Sequence, residues 1–296
     1  MNKIIQNIPL ILIFITFTYS LTHLATINQI TEQSFQTVIH LFFSLYPLMV
    51  IFSIMSDLNI FNFVSYFISP LFKVVFHLNQ QETAIYLASV FSGYPTFAKL
   101  IKDNYLQNKI TLDSANHLLK FTSHGSIGFI VSTLGAVLFH DMPTAWLLWL
   151  IQVVSNLIIA FIFRKREIPQ ENLNPNQSLK LMTVLQSQLK SCAVVFIYIF
   201  GFILVFNILS GMLFDHHIIV HGFLEFSQGC LNLSNIDFNL QFLLCSIWIA
   251  FSSFSVIFQV TTLLDGLKLN IKGYIMARIL QALISGLIAL AIILIY

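Results

Sequence analysis

The sequence predicts an all-α fold: a polytopic transmembrane helical bundle with re-entrant, broken helical hairpins and two pseudo-repeated halves. Apolar residues make up 57% of the 296 residues and charged residues only 9%, whereas a soluble domain carries about a quarter charged residues. Several apolar runs reach the length of about 20 residues that a membrane span needs. Two of these runs are interrupted by small and hydroxyl-bearing residues, a pattern that indicates broken membrane helices.

The apolar runs divide the chain into an N-terminal transmembrane helix (1–30), a first membrane half (31–163), a basic linker (164–190) and a second membrane half (191–296). The predicted spans are residues 4–24, 35–55, 125–139, 145–163, 193–214 and 273–296. Lys3 and the apolar run after it also resemble a secretory signal. Because no convincing small-x-small cleavage site follows, we interpret this run as the first span.

The linker carries the charge that orients the chain. It opens with Arg164, Lys165 and Arg166, and positively charged loops stay on the cytoplasmic side. Counting back from the linker places four more lysines on that side: Lys99, Lys102, Lys109 and Lys120. Residues 83–100 are then predicted to enter from the cytoplasm and return to it as a re-entrant hairpin. The alternative, a full span with four lysines outside, is disfavoured by the same charge rule.

The run FSGYPTFAKL, residues 91–100, predicts the tip of that hairpin and a binding site. Gly93 relaxes the backbone and Pro95 removes a donor and breaks the helix. Ser92 and Tyr94 add hydroxyl groups beside the break. Broken backbone at membrane depth is tolerated where protein or a water-filled cavity covers it. We therefore predict that these four residues shape or line a site; the alternative is a kinked helix packed closely on a neighbour.

Two further polar features lie in apolar surroundings. Ser123, His124 and Ser126 open a predicted helix, whose N-terminus favours an anionic or polar ligand; the alternative is that they cap a membrane helix. Glu225 stands between Leu224 and Phe226. An ionisable residue within the membrane is a functional candidate by default; the alternative is a position at the outer interface.

The run FSSFSVIFQV, residues 251–260, resembles the first broken run. Ser252, Ser253, Ser255 and Gln259 stand where a plain span would carry leucine or isoleucine. Paired broken segments in corresponding halves point to a transporter binding site. We predict that this run is the counterpart of residues 91–100 and meets it near the bilayer midplane. We also expect Arg278 to pair with a carboxylate, either Glu225 or Asp265, or else to reach the membrane surface.

Other chemistry is not indicated. The three cysteines, Cys192, Cys230 and Cys245, are widely spaced and fit apolar packing. Three histidines, at positions 216, 217 and 221, are close in sequence, but no cysteine or acidic residue completes an evident ligand set. No nucleophile elbow, phosphate loop or metalloprotease motif is present. We therefore expect no enzyme activity, no metal, no cofactor and no nucleic-acid partner.

The broken run and the residues after it resemble a known family. FSGYPTFAKLIKDNYLQNKIT is similar to the "SGYPxGAK" signature of the YlbJ-like sporulation integral membrane proteins, part of the wider nucleoside-recognition or Gate-domain membrane proteins. The similarity continues through residues 112–121, 121–135, 221–230, 252–260 and 272–283, and it covers Glu225, Gly229, Tyr274 and Arg278. The chain departs from the family at Ser123 and Ile127, where the family has Asn and Pro, and at Ile257, where it has His. Ser252 and Ser253 replace paired family glycines.

The resemblance implies re-entrant hairpins around a site in the membrane, as in the more distant concentrative nucleoside transporters. We expect a multi-pass protein of a bacterial cell (inner) membrane, surrounded by lipid, that binds or moves a small polar solute. The alternative is a non-transporting scaffold used in spore-envelope or cortex assembly. The sequence leaves open whether copies of the chain form a homo-oligomer.

Overall fold

The computed structural model describes residues 18–19, 21–165, 181–214 and 217–295, and the described chain is helical with no strand. The α-helices, in chain order, are α1 Leu24–Asp57, α2 Ile60–Phe76, α3 Gln80–Ser92, α4 Thr96–Leu106, α5 Leu112–Leu119, α6 Met142–Ile162, α7 Leu181–Phe214, α8 Ile218–Leu224, α9 Phe226–Leu231, α10 Phe238–Phe251, α11 Ser253–Leu263 and α12 Ile271–Ile295. A π-helix, Gly128–Leu138, lies between α5 and α6. The predicted all-α class is confirmed.

Five helical segments of the described chain are long and apolar enough to cross a bilayer: Leu24–Asp57, Met142–Ile162, Leu181–Leu213, Phe238–Leu263 and Ile271–Ile295. A sixth candidate is the pair α2 and α3, which is bent by 101°. Large apolar side chains stand exposed on these helices, among them Phe43 at 74% and Leu294 at 78%. Exposure on this scale would be costly in water, whereas lipid tails accept it. The protein is therefore an integral membrane protein with several spans.

Some boundaries differ from the prediction. Most of the predicted span 4–24 lies outside the described residues, and residues 35–55 form part of the longer α1. The predicted span 125–139 is too long, because residues 122–126 have no regular secondary structure and the π-helix that follows has 11 residues, about half of a span. The predicted linker 164–190 is also too long, since residues 181–190 already belong to α7.

Helices α3 and α4 form the predicted hairpin. Asn79 starts α3 with a capping box, in which its side chain accepts from the backbone N–H of Glu82 at 2.8 Å and its own N–H donates back to Glu82 at 3.1 Å. At the open end, Gln81 donates to Asn104 Oδ1 at 2.8 Å, which ties the start of α3 to the end of α4. With 13 residues, or about 20 Å, α3 is shorter than a hydrocarbon core of about 30 Å.

Several of the predicted lysines contact other segments of the chain. Lys99 donates to Gln188 on α7 at 2.9 Å, and Lys102 donates to the last-turn carbonyl of Leu263 on α11 at 2.8 Å. Lys120 lies 5.0 Å from the ring centroid of Phe163. Lys165, at the start of the linker, pairs with Asp113 at 2.9 Å and with buried Glu82 at 3.6 Å. These contacts agree with a shared side for the lysines and the linker.

A second, shorter hairpin follows α7. Helices α8 and α9 are joined at Glu225, whose backbone is extended, and they pack so closely that a Cβ on Gly229 would lie 2.5 Å from Gly222 Cα. The break at Ser252 comes next, inside the single candidate span Phe238–Leu263. A hairpin and then an interrupted helix thus occur in residues 80–138 and again in 218–263. The equivalence of residues 91–100 and 251–260, like the division into two related halves, stays a prediction.

Candidate functional site

The tip of the first hairpin packs directly on segment 122–126, which has no regular secondary structure. Gly93 has φ +68° and ψ −173°, a backbone conformation that essentially only glycine adopts. A Cβ there would lie 2.4 Å from Ser126 Cα. The next residue, Tyr94, donates its backbone N–H to the carbonyl of His124 at 2.8 Å and is joined to Pro95 by a cis peptide bond. The hairpin tip and segment 122–126 are therefore packed and hydrogen-bonded together.

The break between α10 and α11 joins the same place. Ser252 and Ser253 both have positive φ, +74° and +56°, which explains why the resembled family carries glycines here. The Ser123 and Ser252 hydroxyls are 3.1 Å apart, and the Ser123 hydroxyl is 3.4 Å from that of Tyr274 on α12. The break at Ser252 therefore contacts segment 122–126, which also bonds the hairpin tip; whether the two broken runs meet near the bilayer midplane stays a prediction.

A small cavity of about 20 Å³ lies where these segments meet the second hairpin. Five of the twelve predicted site residues line it: Tyr94, Pro95, Ser126, Glu225 and Gln259. The remaining wall is mostly apolar, with Ser227 beside Glu225. A volume of this size admits about one water-sized sphere.

Glu225 is the charged residue of the cavity. It is 1% exposed and begins α9, where its carboxylate accepts from the Ser227 backbone N–H at 3.2 Å, the Ser227 hydroxyl at 2.7 Å and the Gln228 backbone N–H at 2.7 Å. This is an N-cap arrangement. No cationic side chain forms an ion pair with Glu225 in the described part of the chain. The carboxylate is buried within the protein; whether it lies within the membrane or at the outer interface stays a prediction.

Several polar groups at or next to the interrupted segments are buried without a hydrogen-bond partner among the described residues. They are Ser92 Oγ, Thr96 Oγ1, His124 Nε2 and Ser253 Oγ. A buried polar group that is left unpaired costs about 1–3 kcal/mol. Four such groups around one junction indicate a place that water or a polar ligand can satisfy.

Taken together, the predicted site residues form one connected region, which we call the junction. The junction has four parts. They are the hairpin tip (Ser92, Gly93, Tyr94 and Pro95), the irregular segment (Ser123, His124 and Ser126), the second tip (Glu225) and the interrupted helix (Ser252, Ser253, Ser255 and Gln259). Within the last group, Gln259 donates to the Ser255 hydroxyl at 3.1 Å. Whether these residues bind a ligand stays a prediction.

Arg278 does not pair with a carboxylate, so the expected ion pair is wrong for the described residues. It is fully buried and donates to the backbone carbonyl of Ser123 at 2.8 Å, to that of Lys120, and to Asn156 Oδ1 at 3.3 Å. Lys120 and Ser123 lie where α5 ends and the chain becomes irregular. Their carbonyls therefore accept no hydrogen bond from within a helix. The guanidinium therefore supports the unwound backbone of the junction.

Sequence reasoning missed the buried amides that surround Arg278. Asn156 donates to the Ser123 carbonyl at 3.0 Å, and Gln281 donates to the Ser155 hydroxyl at 3.1 Å. Gln152 donates to the Ser246 carbonyl at 3.1 Å. The sequence did contain a signal for these amides, because an amide side chain inside an apolar span is seldom placed without a hydrogen-bond partner.

The histidines do not form a metal centre among the described residues, where no group of three metal-ligating side chains is found. His221 Nδ1 lies 2.7 Å from the Ser210 hydroxyl. His216 lies outside the described residues.

We expect a disulfide to form between cysteines placed at Ser123 and Ser252. The two hydroxyl oxygens are 3.1 Å apart, so the side chains already point at each other. With the native cysteines replaced by alanine, mild oxidation of the double variant should form this cross-link. If the chain is then cleaved between positions 123 and 252, the two fragments should stay joined on a gel. Either single variant is the control, and separation of the double variant under the same oxidation would contradict the contact.

The fold and the junction define a class, namely multi-pass helical membrane proteins in which broken helices meet around buried polar groups. The chain is similar to the sporulation integral membrane protein YlbJ of Bacillus subtilis (strain 168), with 20% identity over 291 residues that cover 82% of this chain and 71% of the relative. This similarity confirms the predicted resemblance to YlbJ-like proteins. No family model matches the chain, and no solved structure matches it.

Proposed function

We propose that this protein binds a small polar solute at the junction and moves it across the membrane. The observation that carries the proposal is that four interrupted backbone segments, at residues 93–95, 122–126, 225 and 252, meet at the junction, which contains a cavity beside Glu225 and buried polar groups without a partner among the described residues. Interrupted helices in transporters supply free backbone groups and dipole ends to a substrate. A purely structural kink would gain nothing from leaving such groups unpaired.

The cavity volume suggests how movement would occur. About 20 Å³ is far smaller than the pockets of about 300–1,000 Å³ that hold drug-sized ligands. A solute would therefore enter only when a hairpin tip separates from the interrupted helices. Such separation, alternating between the two sides of the membrane, is the mechanism that we propose. It involves no chemical reaction, in line with the lack of a catalytic motif in the sequence.

Solute binding can be measured on the purified full chain by thermal unfolding against a panel of nucleosides, sugars and amino acids. A solute that raises the Tm should bind more weakly to Gln259→Leu, by a few-fold to about tenfold, because one hydrogen bond is lost. Gln33→Leu, on the exposed face of α1, is the matched control. A panel without any shift, or a shift that is equal in Gln259→Leu, would contradict the proposal.

A second candidate follows from the name of the similar protein, which assigns it to sporulation. Under that alternative, this chain is a scaffold in a bacterial cell (inner) membrane during spore-envelope assembly, and its kinks serve packing alone. The small residues Gly222 and Gly229, which bring α8 and α9 together, favour it. The solute panel separates the two candidates, since a scaffold has no solute to bind.

A further inference from the structure

We propose that Glu225 holds a small monovalent metal cation in the cavity between the two hairpins. This inference deepens the proposed function, because it assigns an ion to the same junction and rests on that site. It does not require the identity of the solute, so each can be tested without the other.

Charge is the first argument. Glu225 is 1% exposed, and all three of its donors come from the first turn of α9, which are two backbone N–H groups and one hydroxyl. These donors spread the negative charge but do not cancel it. No lysine, arginine or histidine lies within 4.0 Å of this carboxylate among the described residues. A buried carboxylate without a counter-charge is costly, so a bound cation would remove a large penalty.

Space is the second argument. The cavity beside Glu225 has a volume of about 20 Å³, which holds about one water-sized species. A dehydrated alkali-metal ion is of that size, whereas a nucleoside or a sugar is not. The cavity can therefore hold an ion while the two hairpin tips stay in contact.

Ligand chemistry is the third argument. Besides the Glu225 carboxylate, the oxygen-bearing side chains on the cavity are Ser126, Ser227, Gln259 and Tyr94. Gln259 uses its amide N–H on the Ser255 hydroxyl, which leaves its amide oxygen to the cavity. Hard oxygen ligands of this kind suit alkali and alkaline-earth ions. One carboxylate balances one positive charge, and calcium sites need six to eight oxygens, so a monovalent ion fits best.

The test uses the detergent-purified full chain without any solute. Its Tm is measured against increasing NaCl, KCl or LiCl, with N-methyl-D-glucamine chloride holding the ionic strength constant. One of the three ions should raise the Tm with saturation, since a ligand that binds the folded state stabilises it. Glu225→Gln should remove the rise, whereas Glu32→Gln, exposed on α1, should keep it.

Two milder variants guard against misfolding of Glu225→Gln, whose amide cannot accept at every position of the cap. Gln259→Leu and Ser126→Ala leave Glu225 and its three donors in place, and each should raise the half-saturating cation concentration by a few-fold to about tenfold. A rise in Tm that is unchanged in both variants would place the ion elsewhere and overturn the proposal.

Two other outcomes also overturn it. If no ion is distinguished from N-methyl-D-glucamine, the cavity does not bind a metal cation. If instead the wild type gains stability on acidification and Glu225→Gln does not, a proton neutralises the carboxylate. Repeating the solute panel in N-methyl-D-glucamine alone separates the proposals, because solute binding with no ion effect contradicts only the cation site. An ion effect without any solute contradicts only the transport proposal.

Discussion

Replacing Gly93 with alanine should destabilise the protein by about 3 kcal/mol or more, the largest effect that we expect from a single methyl group. A residue other than glycine at φ +68° and ψ −173° pays about 1–3 kcal/mol in backbone strain. The added Cβ would also lie 2.4 Å from Ser126 Cα and 2.5 Å from Ser126 N. Those are backbone atoms, which cannot avoid the clash by a side-chain rotation. The hairpin tip must therefore move away from residue 126, and the junction opens.

The matched control is Gly201→Ala in α7, where no atom lies within 4 Å of the added Cβ. There the substitution should leave the Tm unchanged or raise it, because alanine favours a helix over glycine by about 1 kcal/mol. Thermal unfolding and the monodisperse yield in detergent measure both variants. Equal Tm values for the two variants would show that Gly93 does not pack against residue 126.

Arg278→Met should be the second most damaging substitution in the described chain, with a loss of about 3 kcal/mol or more. The arginine is fully buried and bonds the carbonyls of Lys120 and Ser123 and the side chain of Asn156. Its removal leaves buried acceptors unpaired, at about 1–3 kcal/mol for each. Segment 122–126 should then lose its support, and any solute or ion bound at the junction should be released.

Arg278→Lys refines this test, because it keeps the charge but loses the planar fork that reaches several carbonyls at once. We expect the Tm of Arg278→Lys to lie between the Tm of the wild type and that of Arg278→Met. Arg164→Met and Arg164→Lys are the controls, since Arg164 is exposed and stacks on Phe161 at the start of the linker. If Arg278→Met unfolds at the temperature of Arg164→Met, the guanidinium does not hold the unwound segment.

The hairpin tip could be predicted from the sequence because breaking a helix is a local property. Gly93 and Pro95 disfavour a helix whatever surrounds them, and hydroxyl groups in an apolar run need a partner wherever they lie. The same reasoning identified Ser252, Ser253 and Gln259. All of these residues are found at the junction, which the sequence placed in the correct segments.

The extent of the helices and the partner of Arg278 could not be predicted in this way. Residues 125–139 are apolar enough for a span, yet segment 122–126 stays irregular because Tyr94, Asn156 and Arg278 bond its backbone from three other segments. Charge alone suggested a carboxylate for the arginine. The partners are carbonyl groups that become free only when the helix unwinds.

The sequence by itself determined that this chain is a helical membrane protein and where two of its helices break, at Gly93 and at Ser252. These are properties of composition and of short-range backbone preference. Only the tertiary structure decided that the break at Gly93 meets the one at residues 122–126, that Glu225 completes the same cavity, and that Arg278 supports unwound backbone. The reason is physical: a buried polar group takes whichever partner the packing brings within about 3 Å, and that partner lies far away in the sequence.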